Sequence, residues 1–153
     1  MGHISYLSFY KSPIGIIRIN TSFYDILSIT FVEEQTEEER ENRLSIRVKE
    51  ELDLYFKGEL KSFSFYNYLI SGLEKRVLEV VSHIPYGETL TYKDVARFLG
   101  NEEVVGPVIT VLNENSCPII LPCHRVVDTD NIGTYVSDIE KKEYLLNLEK
   151  ENM

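Results

Sequence analysis

The feature that most constrains the fold is a change of rhythm near residue 33. Ile4–Tyr10, Ile14–Asn20 and Tyr24–Val32 are β-rich, and Ser12-Pro13 and Asn20-Thr21-Ser22 punctuate them. They predict a small antiparallel meander. From Thr36 the signals turn helical: a residue suited to an N-cap precedes Glu37, Glu38 and Glu39, acids placed to meet a helix start. Leu44, Val48, Leu52, Tyr55 and Phe56 recur at helical spacing, and Lys57-Gly58 ends the run. The acidic stretch Glu33–Glu41 reads as a solvated helix start rather than a partner site. Residues 59–70 are aromatic and read as a connector laid over this first unit.

A second set of helices begins at Ser71. Ser71-x-x-Glu74 has the form of a capping box, and Leu73, Val77, Val80, Val81 and Ile84 make one apolar stripe. Pro85-Tyr86-Gly87 is a turn. Thr91-x-x-Asp94 caps the next helix, with Val95, Phe98 and Leu99 on one face and Gly100 as its stop. Val108, Val111 and Leu112 mark a further helix. Two short helices around a glycine-containing turn form a helix-turn-helix pattern, although most such pairs are plain packing units. Ile119–Leu121 is a short apolar run, Asp128–Gly133 a turn region, and Ser137 caps a last helix with Ile139, Tyr144, Leu145 and Leu148 inward. The expected fold class is α/β (α+β). A sheet-plus-helix scaffold domain spans residues 1–62, and a helical, winged-helix-like domain with a helix-turn-helix spans residues 63–153.

Composition narrows the function. The net charge is −9, with both halves acidic, which argues against a general nucleic-acid binder because non-specific affinity comes from Lys and Arg on phosphates. Two cysteines, Cys117 and Cys123, are too few for a disulfide framework. With His3, His83 and His124 they show no metal-ligand spacing, so no metal is expected. No apolar run approaches the ~20 residues that span a bilayer. Met1-Gly2-His3-Ile4 lacks the pattern of a secretory signal, so an intracellular protein without membrane contact is expected.

Cys123 is the candidate nucleophile. A free cysteine has a pKa of ~8.5 and needs help to act near neutrality. His124 is adjacent, Glu149 on the last helix could orient that imidazole, and Pro122 stiffens the approach. From Cys-His alone, a buried structural cysteine is the better reading. Cys117, in a Cys-Pro step without an acid–base neighbour, is read as structural.

The stretch Ile119-Ile120-Leu121-Pro122-Cys123-His124-Arg125-Val126-Val127 closely resembles the active-site segment of O6-alkylguanine-DNA alkyltransferases. Ile84-Pro85-Tyr86-Gly87-Glu88-Thr89-Leu90-Thr91-Tyr92 resembles the segment that leads into that family's helix-turn-helix. Asn115, Gly133-Thr134-Tyr135, Lys142 and Leu145-Leu146-x-x-Glu149 fit its remaining pattern. The resemblance covers about residues 71–150; residues 1–62 match in layout and in pieces such as Tyr10-Lys11-Ser12-Pro13-Ile14-Gly15. It implies a single-turnover DNA repair protein that needs no cofactor, acting as a monomer in the cytoplasm or, in a eukaryote, the nucleus. A damaged guanine is flipped out of DNA and its O6-alkyl group passes irreversibly to Cys123. His124, through a water, takes the thiol proton and Glu149 holds His124. Tyr92 protonates the departing guanine, Asn115 braces the active-site segment, and Tyr135, Val136, Ser137 and Lys142 line the substrate pocket. Thr91, Tyr92, Gly106, Pro107 and Thr110 face DNA. Arg125 is structural, an ion-pair partner.

One segment departs from the resemblance. The family's recognition helix opens with Arg-Ala-Val-Gly, whose arginine fills the place of the extruded base; here the aligned residues are Gly106-Pro107-Val108-Ile109. Gly106 is expected to cap a helix that starts late, near Pro107; were the helix to begin near Glu102, Pro107 would kink it. Asn101–Ser116 carries Glu102, Glu103 and Glu114 and neither Lys nor Arg, which should weaken DNA affinity. Two rivals follow. One is a non-catalytic homologue that binds alkylated bases or a partner; the retained cysteine ranks it second. The other is a Cys-His-Glu hydrolase, which would need an oxyanion hole.

Overall fold

The computed structural model describes residues 4–153. Met1, Gly2 and His3, which entered the leader and metal readings, lie outside the described residues. The chain forms two compact units, one running to Leu69 and one from Ile70 to Met153.

In the first unit, strands β1 (Tyr6–Ser12), β2 (Gly15–Thr21) and β3 (Asp25–Val32) form the expected antiparallel meander. Its core face shows period two: Ile17 and Ile19 on β2 are fully buried. On β3 the buried residues are Ile26 and Ile29, three apart. The register explains this, because Asn20 pairs with Ser28 and Thr21 with Ile26, so Leu27 is the extra residue of a bulge that returns both isoleucines to one face. Helix α1 (Arg43–Phe56) lays Val48, Leu52, Tyr55 and Phe56 inward, and Gly58, at φ 75°, follows its C-cap.

The helix start differs from the expectation at Thr36. Asn42 is the N-cap: its side chain accepts from the Ser45 amide at 2.8 Å while the Ser45 hydroxyl accepts from the Asn42 amide at 3.0 Å. Residues 37–41 instead run beside β1 and use their acids as acceptors. Glu39 takes the Phe9 amide at 3.0 Å, Glu41 the Ser8 hydroxyl at 2.6 Å and Glu37 the Arg18 guanidinium at 2.9 Å, while Leu7 and Arg40 exchange backbone bonds. An edge strand with open N–H groups outcompetes solvent for these carboxylates. The sequence break expected after residue 62 falls later. Residues 63–69 stay with the first unit because Ser64 and Tyr66 both donate to Glu51 on α1, and β4 (Asn67–Tyr68) pairs parallel to β3.

The second unit comprises α2 (Gly72–Ser82), β5 (Leu90–Thr91), α3 (Tyr92–Phe98), α4 (Val105–Asn113), β6 (Val126–Val127) and α5 (Ile139–Glu151), with β5 and β6 paired in parallel. Ser71 is the N-cap of α2 but makes no side-chain capping bond; Gly72, at φ 61°, opens the first turn. Inward-facing residues are Val77, Leu78, Val81 and Ile84, whereas Leu73 is exposed. The Thr91–Asp94 capping box forms as expected. Phe98 does not turn inward: it is 69% exposed and lines a cavity of about 450 Å³ with residues from the end of α2 and the turn before β5.

Gly106 does not cap α4. A short 3-10 turn over Glu102–Val104, capped by the Asn101 side chain on the Glu103 amide, runs into a helix that starts at Val105. Gly106 and Pro107 are its second and third residues. Proline sacrifices no hydrogen bond there, because the first four helical amides have no intrahelical partner. Asp138, not Ser137, is the N-cap of α5, and Ser137 accepts from Lys141 instead. Ile139 and Tyr144, expected inward, are exposed; the buried face of α5 is Lys142, Leu145 and Glu149. Two charged residues on the inner face of a helix demand partners, and those partners form the site. No helix among the described residues is long and apolar enough to cross a membrane.

Candidate active site

The second unit gathers Tyr92, Asn115, Cys123, His124, Tyr135, Lys142 and Glu149, every one of them buried. Cys123–Arg125 forms a tight 3-10 turn between Pro122 and β6. Asn115, past the end of α4, ties this loop down. Its amide nitrogen donates to the Leu121 carbonyl at 2.9 Å, its oxygen accepts the Cys117 amide at 2.9 Å, and it also hydrogen-bonds the Cys123 thiol. Ile119 lies within this stretch at φ 75°, a strained value for a β-branched residue.

Burial pushes the Cys123 thiol up to about 11, against the pull of the Asn115 hydrogen bond and the Lys142 charge. Cys117 is buried too, and its pKa lies still further above the usual thiol value. The two cysteines thus differ in neighbours: of the two, only Cys123 adjoins a cation and a side-chain donor.

Behind Cys123 lies a charge network. His124 Nε2 is 2.6 Å from Glu149 Oε2. Arg125 forks the same carboxylate, Nε on Oε1 at 2.8 Å and Nη2 on Oε2 at 3.1 Å, and Nη1 donates to the Ile84 carbonyl at 2.8 Å. The Gly87 amide adds a fourth bond to Glu149, at 3.0 Å. Burial opposes the carboxylate, but the bonds and charges of His124 and Arg125 outweigh it and hold the Glu149 pKa well below the usual range. An ionised Glu149 can only accept, so His124 Nε2 carries the proton and Nδ1 is the basic nitrogen. Burial lowers the His124 pKa despite its carboxylate partner, which favours the neutral ring.

A second cluster surrounds Tyr92, the first residue of α3. Its hydroxyl accepts from the Thr134 amide at 3.0 Å and from Lys142 Nζ at 3.4 Å. Lys142 also donates to the Val126 and Thr134 carbonyls, each at 2.7 Å, and burial lowers its pKa. Gly133, at φ 78°, leaves room for the Tyr92 ring, since a Cβ there would collide with its hydroxyl and ring carbons. Tyr135 is buried close enough to Cys123 to feel its charge, and burial raises its own pKa well above normal.

The remaining expected residues fall outside these clusters. Val136 is half-buried, and Ser137 is engaged by Lys141. Gly106, Pro107 and Thr110 are exposed on the first turns of α4, with Thr110 donating back to the Gly106 carbonyl at 3.2 Å, while Thr91 is half-buried and occupied in capping. The sequence reading missed Gly87 and Thr134. Both act through backbone atoms, which leave no side-chain signature; the glycine of the Pro85-Tyr86-Gly87 turn was the available clue.

Residues 72–151 match the model of the 6-O-methylguanine DNA methyltransferase DNA-binding domain. Fold and site therefore define a cysteine-bearing protein built on a DNA-binding domain. A probable methylated-DNA–protein-cysteine methyltransferase of Acanthamoeba polyphaga mimivirus is 35% identical over 93% of this chain and 95% of its own length. The methylated-DNA–protein-cysteine methyltransferase of Methanosarcina acetivorans is 35% identical over 94% of this chain and 97% of its own. The crystal structure of the Mycobacterium tuberculosis O6-methylguanine methyltransferase superposes with a TM-score of 0.87 at 26% identity, covering 98% of this chain and 95% of that one. A structure of the same M. tuberculosis protein in complex with DNA gives 0.84 at 28% identity, covering 95% and 93%. The chain belongs to the methylated-DNA–protein-cysteine methyltransferase family.

Proposed function

We propose that this protein repairs DNA by moving an alkyl group from O6 of guanine to Cys123, once per molecule. The observation that carries the reading is the buried series of Cys123, His124 and ionised Glu149, with His124 Nδ1 as its basic nitrogen. With a thiol pKa near 11, roughly one Cys123 in ten thousand is ionised at neutral pH, so a base is needed. A raised pKa also makes the thiolate a stronger nucleophile once formed.

The step balances without a cofactor. His124, directly or through a water, takes the thiol proton. The sulfur forms a bond to the alkyl carbon as the carbon–O6 bond breaks, and the electron pair leaves with guanine. Tyr92 supplies the proton that the departing base needs: its oxygen already accepts two hydrogen bonds, and its own O–H has only long contacts of 3.5 Å, both to Thr134. Lys142, 3.4 Å from that oxygen, stabilises the phenolate that remains. Tyr135, Val136 and Ser137 border the base. The thioether is stable, so the protein is consumed as a monomer acting on damaged DNA.

Thr91, Gly106, Pro107 and Thr110 form the DNA-facing edge, and Gly106 stands where an arginine would replace the flipped base. The space around Gly106 is open and Glu102 is paired with Arg97, so this surface is neither filled nor cationic. The protein therefore works best on bases already exposed or disrupted. The test compares transfer from O6-methylguanine in single-stranded DNA, in a mismatched duplex and in a paired duplex. Faster transfer from the first two supports the reading; equal rates remove the role given to Gly106, and no transfer from any removes the activity.

A further inference from the structure

Arg125 was read from the sequence as a structural ion pair, yet it shares its carboxylate with the residue that must accept a proton. We propose that Arg125 is a positioning residue that keeps His124 neutral and proton-accepting by pre-empting the charge of Glu149. The inference rests on the alkyl-transfer reading of the same site.

The geometry gives Arg125 two effects. Its fork fixes the plane of the Glu149 carboxylate, so that Oε2 meets His124 Nε2 at 2.6 Å. The fork is itself anchored: Nη1 holds the Ile84 carbonyl at the end of α2, and the guanidinium carbon lies 5.7 Å from the Tyr86 ring centroid. The second effect is electrostatic. A lone buried carboxylate beside an imidazole favours the imidazolium, which cannot take a thiol proton. A guanidinium forked on that same carboxylate satisfies it and repels a second cation. The charged groups that act on His124 include Glu149 and Lys142 from α5 and Arg125 from its own turn, with Tyr86 beside Arg125. Lys142 also disfavours a second cation, but it touches neither oxygen of Glu149. Arg125 is bonded to both oxygens.

Two measurements test this. The first is the titration of the His124 imidazole by nitrogen-15 NMR in the unmodified protein, which reads the ring whether or not alkyl transfer occurs. The expected result is a neutral, Nε2-protonated ring at pH 7; an imidazolium at pH 7 overturns the proposal. The second is the pH profile of Cys123 alkylation by O6-benzylguanine in Arg125→Leu and Arg125→Lys. Arg125→Leu should move the acidic limb up by about one pH unit or more, the scale of a neighbouring charge, with the rate recovering toward pH 9. Arg125→Lys retains the charge and should leave the limb within about half a unit of its original position. A uniform loss of rate with no movement of the limb, or equal displacement in both variants, would leave Arg125 with packing alone. Absence of alkylation in the unmodified protein defeats the proposed function, while the NMR titration still decides the protonation claim.

Discussion

Replacing Glu149 by Gln tests the charge network at its centre. The carboxylate receives four hydrogen bonds, from Arg125 Nε and Nη2, His124 Nε2 and the Gly87 amide. A glutamine oxygen can serve only one half of that set. If it takes the Oε1 position, its NH2 group confronts His124 Nε2–H and Arg125 Nη2, donor against donor. The inverse orientation sets it against Gly87 N–H and Arg125 Nε. Arg125, 7% exposed, also loses its countercharge. Breaking a buried pair of this kind costs about 3–5 kcal/mol. At about 2–4 °C per kcal/mol for a chain of this size, the melting temperature should fall by roughly 6–20 °C at pH 7. The pH dependence has a definite sign. The Glu149 pKa is depressed in the folded protein, so its stabilisation is complete above the unfolded carboxylate value near ~4.3 and is lost as pH falls through the folded value. The gap between parent and variant should therefore be full at pH 7 and shrink on acidification below about pH 4. Thermal unfolding followed by circular dichroism at pH 7 and at pH 3 measures both. A melting temperature lowered by less than about 2 °C at pH 7, or a gap that grows with acid, would refute the reasoning.

Three further outcomes are expected. Gly133→Ala should push the Tyr92 ring from its place and strain a left-handed backbone, costing about 1–3 kcal/mol and slowing alkyl transfer more than a surface substitution does; unfolding and single-turnover kinetics check it. Asn115→Ala should leave the buried Cys117 amide unmet, costing about 1–3 kcal/mol, and leave the Leu121 carbonyl with the Cys123 amide alone, loosening the active-site turn, read as faster amide exchange at Cys123 and His124. Gly106→Arg has open space for its side chain and should speed reaction with paired duplex O6-methylguanine while leaving the rate with free O6-benzylguanine unchanged, measured side by side.

The parts of this fold that were legible in the sequence are those set by local signals. Strand breaks at Ser12-Pro13 and Asn20-Thr21-Ser22, the Thr91–Asp94 capping box and the glycine stops at Gly58 and Gly100 depend on a few adjacent residues. The acids at 37–41 misled because a helix N-terminus and the open edge of a strand both attract carboxylates, and only tertiary structure says which is nearer. On α5, apolar periodicity named Ile139 and Tyr144 as inward, but the buried stripe is Lys142, Leu145 and Glu149. Hydrophobic pattern is blind to charged residues buried for their bonds. The same holds for the site: Cys123, His124 and Glu149 were visible as chemistry, whereas the Arg125 fork, the Gly87 amide and the Thr134 backbone required the chain to be folded.

The central claim is that the Cys123 sulfur itself receives the alkyl group from DNA. Incubation with an oligonucleotide carrying O6-methylguanine, followed by intact mass and peptide mapping with Cys123→Ala as control, tests it most directly. The account predicts one methyl group per protein, on Cys123 and not on Cys117, with the oligonucleotide returned to guanine and no second turnover. A methyl group elsewhere, repeated turnover, or an unmodified folded protein beside an unrepaired oligonucleotide would contradict it.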